Sequence, residues 1–300
     1  MRRMKLKEKV FLNKYGFYEL KNKPKIRDMQ EEFEKEYYQN SKGNYENIYD
    51  ATEKEFFDCK FEQKLMIIEK NLNAGYEKSI LDIGCGEGYL LNFFYKKGFE
   101  VLGIDFSRYG IVNNNPEMMN YFLQGNCEQI LEDLIKQGQK YTIINMDQSL
   151  DMMRNPFRVL KLCRNLLSDS GILVVKVANN YSILQEYLLE KGKVDTEYWL
   201  DEEGHPYYFN KDGLCEFLKE VGFKCTNIYG ESFIDFNMLN DRTNYYKDRS
   251  VGKDCYRARL DLELLMDSLS REKTLQIFQL LGEMGLGREI IGTFVKEDVK

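Results

Sequence analysis

The chain reads as an α/β protein built on a seven-stranded, mostly parallel sheet with helices on both faces. Three observations predict this. First, residues 79–83 are a short apolar run entering a turn with glycine at 84, 86 and 88, the pattern of a buried strand feeding a tight loop. Tyr89, Leu90, Phe93 and Phe94 then recur at helical spacing, Gly98 stops the helix, and a second apolar run, 99–104, ends on Asp105. This is one β-α-β unit with a glycine-rich first turn and an acid closing its second strand. Second, apolar runs and amphipathic segments keep alternating after Asp105, which predicts mostly parallel strands with helical crossovers. Third, 300 residues that are 43% hydrophobic and 14% aromatic supply the core of one large domain with additions.

Taken in order, residues 1–27 are basic, and 10–20 have strand character broken at Gly16, which suggests a bend or hairpin. Tyr15, Phe17 and Tyr18 favour packing of this segment over a solvated arm. Residues 28–40 are acidic and helical, with Met29, Phe33 and Tyr37 on one face. A polar, aromatic loop covers 37–46. Thr52 and Glu55 suit a capping box for a helix to about residue 72, with Phe56, Phe57, Phe61, Leu65 and Ile68 inward. The third strand is expected at 121–123, followed by Gly125, Asn126 and Cys127, and the fourth at 141–146. A helix over 157–167 turns Leu160, Cys163 and Leu167 inward. A turn at 168–171 leads to the fifth strand, 172–177. A helix over 211–221 precedes the sixth strand, 223–229, and the seventh is 289–296.

Two insertions interrupt the alternation. Residues 183–209 carry Tyr187, Tyr198, Trp199, His205, Tyr207, Tyr208 and Phe209. Residues 231–286 open with a polar loop to about 251. Two helices follow, with Leu260, Leu264 and Leu265 inward on the first and Leu275, Phe278 and Leu281 on the second. Such a helical hairpin covers its own domain or forms the contact of a homodimer.

Composition excludes several classes. A net charge of −6 argues against a nucleic-acid partner, which needs a basic surface. Seven scattered cysteines without a Cys-x-x-Cys pair, and one histidine, argue against a metal site and read as reduced thiols. The N-terminus is charged and lacks an apolar stretch like that of a signal peptide, and no run reaches membrane-spanning length. The expectation is a cytoplasmic protein with a small-molecule partner and no membrane association.

The glycines at 84, 86 and 88 let a ligand lie against bare backbone at a helix N-terminus, and Asp105 stands where a carboxylate accepts from two ribose hydroxyls. Dinucleotide enzymes carry Gly-x-Gly-x-x-Gly for a pyrophosphate. Here the spacing is Asp-x-Gly-x-Gly-x-Gly, and Asp82 ahead of the loop would repel a pyrophosphate, which disfavours a nucleotide-dependent oxidoreductase. The stretch resembles the first motif of the class I S-adenosylmethionine-dependent methyltransferases. The resemblance implies that Asp82, Gly84, Gly86 and Gly88 line the methionine and ribose, with Cys85 inside the loop but not a nucleophile. It also implies that Asp105 takes the ribose hydroxyls, that Asn126 reaches the adenine amino group, and that Phe106 and Met146 complete the cofactor site. It further implies the strand order 3-2-1-4-5-7-6 with the last strand antiparallel. Residues 1–59 resemble the helical lids of small-molecule members, with the methyltransferase domain over 60–300.

Methyl transfer from a sulfonium is an in-line displacement from which water is excluded, and a hydroxyl acceptor must also lose a proton. Ligands of open α/β sheets lie beyond the carboxyl ends of the strands, which puts the loop 147–153 beside the methyl. Many small-molecule members carry Glu-His at the positions of Asp151 and Met152, with a proline in the register of Pro156. The acid is kept in type, but the histidine has become Met152, which puts a quinone-like acceptor in doubt. The sole histidine, His205, begins a segment resembling the His-x-x-Tyr-Phe of sugar and surface-polysaccharide methyltransferases. As a base it would take a hydroxyl proton near neutral pH; otherwise it only hydrogen-bonds within a lid. Asp151 and Asp147 are the other catalytic candidates. Tyr207 and Tyr208 are expected as pocket walls, and Asn179 as an acceptor contact. The expected function is methyl transfer to a hydroxyl of a sugar or nucleotide-linked sugar. The alternatives are methylation of another small metabolite, or a non-catalytic protein that binds S-adenosylmethionine and supports a partner.

Overall fold

The computed structural model describes residues 9–23, 49–201 and 205–297. The helix expected over 28–40 and the loop over 37–46 lie outside the described residues. The described helices and strands follow as β1 (Val10–Leu12), β2 (Tyr18–Leu20), α1 (Ala51–Glu69), β3 (Ser79–Ile83), α2 (Tyr89–Lys96), β4 (Glu100–Asp105), α3 (Tyr109–Asn114), β5 (Phe122–Gln124) and α4 (Cys127–Lys136). Next come β6 (Tyr141–Asp147), α5 (Pro156–Leu166), β7 (Leu167–Ala178), α6 (Ile183–Glu190), β8 (Tyr207–Tyr208), α7 (Lys211–Glu220), β9 (Phe223–Glu231), α8 (Gly252–Glu283) and β10 (Glu289–Lys296).

One sheet has seven strands in the order β5-β4-β3-β6-β7-β10-β9. Counted along the chain, that is the expected 3-2-1-4-5-7-6. β3 runs parallel to β4, with Ser79 opposite Glu100 and Ile83 opposite Ile104, and parallel to β6, with Leu81 opposite Ile144. All five residues of β3 are buried, as expected of a central parallel strand covered on both faces. Ile80, Leu81, Ile83, Ile143 and Ile144 are almost wholly enclosed there. Residues 168–171, expected as a turn, belong instead to β7. Gly171 lies where an added Cβ would meet the Thr142 carbonyl at 2.8 Å, so tight backbone packing overrides the turn-forming composition.

The chain divides into two compact units. One comprises Met1–Lys23, Lys176–Phe217 and Asn227–Gly292; the other comprises Pro24–Val175, Leu218–Thr226 and Thr293–Lys300. In the second unit, α1 starts with a capping box two residues earlier than the sequence suggests. Asp50 accepts from the Glu53 amide at 2.9 Å, and Glu53 accepts from the Asp50 amide at 2.9 Å. An aspartate at the earlier position therefore takes the cap in place of Thr52. Along α1, Phe57 meets Tyr49 and Tyr89, and Phe61 meets Phe93.

In the first unit, β1, β2 and β8 form an antiparallel sheet. The hairpin expected around Gly16 is present, and Tyr18 lies opposite Tyr208. Residues 10–20 are thus strands, as their pattern suggests, and within 1–59 the described helical part is the start of α1. Val10, Leu20, Tyr181, Leu188, Trp199, Tyr208 and Met238 share one hydrophobic core, with the Tyr18 and Tyr181 rings 4.0 Å apart. α8 is two helices joined at Ser270, where φ is −170° and ψ is 105°. Ser270 restarts the helix by accepting from the Lys273 amide. Leu260, Leu275 and Phe278 are buried as expected, but Leu265 is 56% exposed. Glu263 takes the buried position on that turn.

The same unit is closed by backbone contact. A Cβ added at Gly230 would stand 2.0 Å from the Leu286 carbonyl oxygen and 2.9 Å from the Gly282 amide nitrogen. Neither obstacle is the end of a flexible side chain. Gly230→Ala should therefore lower the free energy of urea unfolding by about 2–3 kcal/mol, the upper range for overpacking. An alanine variant with wild-type stability would show that this contact is loose.

Candidate active site

The loop leaving β3 follows from its glycines. Gly84, Gly86 and Gly88 have φ of +79°, +53° and +77°, a region that side chains rarely adopt. A Cβ on Gly84 would also lie 2.6 Å from the Ser149 Cβ. The Ser149 hydroxyl donates to the Ile83 carbonyl at 2.8 Å. The loops after β3 and β6 are thereby held against each other, and the second begins with Gln148 at φ +51°. A non-glycine residue held there stores strain of the kind that collects at functional sites.

Asp105 closes β4 facing this loop. Its Oδ2 accepts from the Gly86 amide at 3.0 Å and its Oδ1 from the Ser107 amide at 2.9 Å. Burial pushes its carboxyl up, and these amides pull it back. An ionised carboxylate has about four acceptor sites, so one oriented in this way can still receive hydroxyls. Phe106 is half-buried, and its carbonyl accepts from Gln124. Asn126 is exposed and caps α4, accepting from the Gln129 amide at 3.2 Å. Cys85 is buried, and burial drives its thiol well up, so it carries no nucleophilic thiolate.

The structure adds a residue that sequence reasoning missed. Lys64 of α1 is only 4% exposed, and its ammonium reaches Asp147 Oδ2 at 2.7 Å. It also donates to Asn145 Oδ1 at 3.1 Å. Asn145, fully buried, donates in turn to Asp82 Oδ1 at 2.7 Å. Desolvation raises the Asp82 carboxyl to about 6, while Asn145 and Lys64 restrain the rise. The available signal was the arc Phe56, Gln63, Lys64 and Ile67, all buried. A lysine at helical spacing on an apolar stripe is rare without a partner. Met146 is fully buried, and Asp151 is 1% exposed on a short 3-10 turn, Leu150–Met152.

The structure thus brings Asp82, the glycine loop, Asp105, Asn126, Met146, Asp147 and Asp151 into one unit, and assigns Asn179, His205, Tyr207 and Tyr208 to the other. Asn179 is buried and donates to the carbonyls of Gly285 and Gly287, both at 3.0 Å. This is a structural clamp. Tyr207 and Tyr208 are buried in β8. The Tyr207 hydroxyl accepts from Lys23 at 3.0 Å, and the Tyr208 hydroxyl donates to the Asp201 carbonyl. His205 is half-buried just before β8. Among the described residues, no group of three or more His, Cys, Asp or Glu is arranged to hold a metal, and no helix is long and apolar enough to cross a membrane.

Comparison with known proteins bears on this arrangement. Residues 59–228 match a family model described as a methyltransferase domain. The chain is 27% identical over 185 residues to a ubiquinone biosynthesis O-methyltransferase of Glaesserella parasuis, covering 57% of this chain and 75% of that one. It is 30% identical over 194 residues to the protein of the same name from Histophilus somni, covering 60% and 77%. The structure of a SAM-dependent methyltransferase from Archaeoglobus fulgidus superposes with a TM-score of 0.50 at 15% identity, over 81% of this chain and 94% of that one.

Asp82 makes this site sensitive to pH. Its folded value of about 6 stands above the ordinary 3.8, so the folded chain binds this proton more tightly than the unfolded chain. The stability it contributes is complete below about pH 4 and is lost as pH rises through 6. The wild-type advantage over Asp82→Asn in urea unfolding should therefore shrink by about 2 kcal/mol between pH 4 and pH 7. A pH-independent difference would place the titration elsewhere.

Proposed function

The chain belongs to the methyltransferase domain family, and from that premise we propose that it methylates a hydroxyl of a small polar acceptor, a sugar or nucleotide-linked sugar. The cofactor is S-adenosylmethionine, which supplies a methyl already activated on a sulfonium. The observation that carries the reading is the oriented carboxylate of Asp105 beside the left-handed glycine loop. The donor set fits this cofactor: an acceptor for ribose hydroxyls, bare backbone to approach, and a buried cation with acids near it. In this reading Asp105 holds the ribose and Lys64 takes the donor's carboxylate. Asp82, linked to Lys64 through Asn145, serves its ammonium. Phe106, Asn126 and Met146 stand on the adenine side.

A hydroxyl acceptor is supported by the O-methyltransferases among the relatives. A sugar is supported by Met152 standing where a histidine is usual, and by the segment His205-Pro206-Tyr207-Tyr208-Phe209. The second reading is a phenolic hydroxyl, favoured by the relatives' name. A turnover assay for S-adenosylhomocysteine across sugars, nucleotide-linked sugars and catechols separates them. Turnover on catechols alone overturns the sugar reading, and donor binding without turnover on any acceptor overturns the enzymatic one.

Asp105→Ala removes the acceptor for two hydroxyls. Hydrogen bonds to a charged group contribute about 1.5–3 kcal/mol, so S-adenosylmethionine should bind at least about tenfold more weakly by calorimetry. Unchanged affinity would sink the ribose assignment.

We assign the proton to His205, the only imidazole in the chain. His205→Ala should lower kcat by roughly 10²–10⁴-fold and leave donor affinity unchanged. The ascending limb of the pH–rate profile should disappear with it. A variant that keeps the limb moves the role to Asp151 or Asp147.

A further inference from the structure

Taking Lys64 as the partner of the donor's carboxylate, the reading on which this inference rests, we propose that Asp147 competes with that carboxylate for the Lys64 ammonium and so sets how tightly donor and product are held. Lys64 has two acceptors of different kinds among the described residues. Asn145 Oδ1, at 3.1 Å, belongs to a fully buried side chain fixed from its other end, because its amide donates to Asp82 Oδ1 at 2.7 Å. That contact by itself ties α1 to the two central strands and gives the ammonium an enclosed acceptor. Asp147 Oδ2, at 2.7 Å, adds a full charge from the last residue of β6. The pair is lopsided: the lysine side chain is 4% exposed and the aspartate 30%. Its open side is therefore the carboxylate, and an anion that reaches Lys64 comes in past Asp147.

Charge balance requires one carboxylate to yield. With Asp82 serving the donor's ammonium, Asp147 and the donor's carboxylate are left to one enclosed cation. Like charges gathered on a desolvated partner repel, and each stays there only if hydrogen bonds replace its water. Asp82 and Asn145 are too deeply buried to turn toward solvent. Asp147, already partly open, regains hydration at the smallest cost. The loop beyond it stays anchored by Ser149 on the Ile83 carbonyl, so the exchange needs only a turn of the Asp147 side chain. S-adenosylhomocysteine keeps the same carboxylate as the donor. Asp147 therefore loosens the product as well, and product release sets the turnover of many enzymes.

Calorimetry of the full chain with S-adenosylmethionine, and with its decarboxylated form that lacks only the contested group, tests this. Asp147→Asn removes the competing charge and keeps the size. It is expected to bind S-adenosylmethionine about tenfold more tightly, and the decarboxylated donor no more tightly than the wild type does. Dissociation of S-adenosylhomocysteine should slow by a similar factor. A purely structural ion pair predicts weaker binding of both donors. Unchanged or weaker binding of S-adenosylmethionine, or equal tightening of both donors, overturns the proposal. Lys64→Gln tests the underlying reading separately: a loss confined to S-adenosylmethionine upholds it, and an equal loss for both donors overturns it together with the proposal. If Asp147→Asn misfolds, a crystal structure of the wild type with S-adenosylhomocysteine decides. Lys64 bonded to the ligand's carboxylate and parted from Asp147 supports the competition. A Lys64–Asp147 contact still at 2.7 Å overturns it.

Discussion

The enclosed ammonium of Lys64 is the contact on which the site's geometry depends. A cation that is 4% exposed is tolerable only where acceptors replace its water. Here those acceptors lie at the carboxyl end of β6, Asn145 and Asp147, and through Asn145 the chain reaches Asp82 on β3. A helix outside the sheet is thereby tied to its two central strands at the end where ligands of such folds lie. Losing the ammonium would leave a buried amide and two acids without their common counter-charge, so α1, β3 and β6 must keep their relative placement.

Close backbone approach is the second constraint, and it recurs at different places for one reason. Gly103 on β4 leaves room for the Cys85 sulfur, which would stand 2.8 Å from a Cβ there. Gly84 leaves room for Ser149, and Ser149 secures the approach by donating to Ile83. Gly282 lies against the Ile228 carbonyl in the same way. At Gly84 and Gly103 a missing side chain permits a contact that then specifies the glycine loop, and at Gly282 it lets α8 lie on β9. Asp105 shows what this achieves: its carboxylate is aimed because Gly86 and Ser107 present amides to it.

The parts of the site legible in sequence share one property: they are local. The glycine triplet, Asp82 ahead of it and Asp105 behind it fall within one β-α-β unit, so spacing alone brings them together. Asn126 was equally visible as a polar residue after a short strand, yet its side chain caps α4, because the helix start lies at the next residue. Asn179 was read toward the acceptor but ties down two carbonyls more than a hundred residues away. Lys64 escaped notice because its partners are 81 and 83 residues on, and nothing in the helix names them.

The sequence by itself determined the strands of the sheet and the donor loop, while the strand order followed from the family resemblance. Apolar runs at regular intervals and glycines in a fixed spacing are constraints a chain satisfies within thirty or so residues. Only the tertiary structure decided which polar groups meet. It set Lys64 among Asn145, Asp82 and Asp147, paired Tyr18 with Tyr208 so that the N-terminal hairpin became part of a sheet, and turned Leu265 outward while burying Glu263. Such outcomes depend on which face of an element is already occupied by a distant neighbour. Periodicity records that a face is apolar; burial and pairing are set by what arrives to cover it.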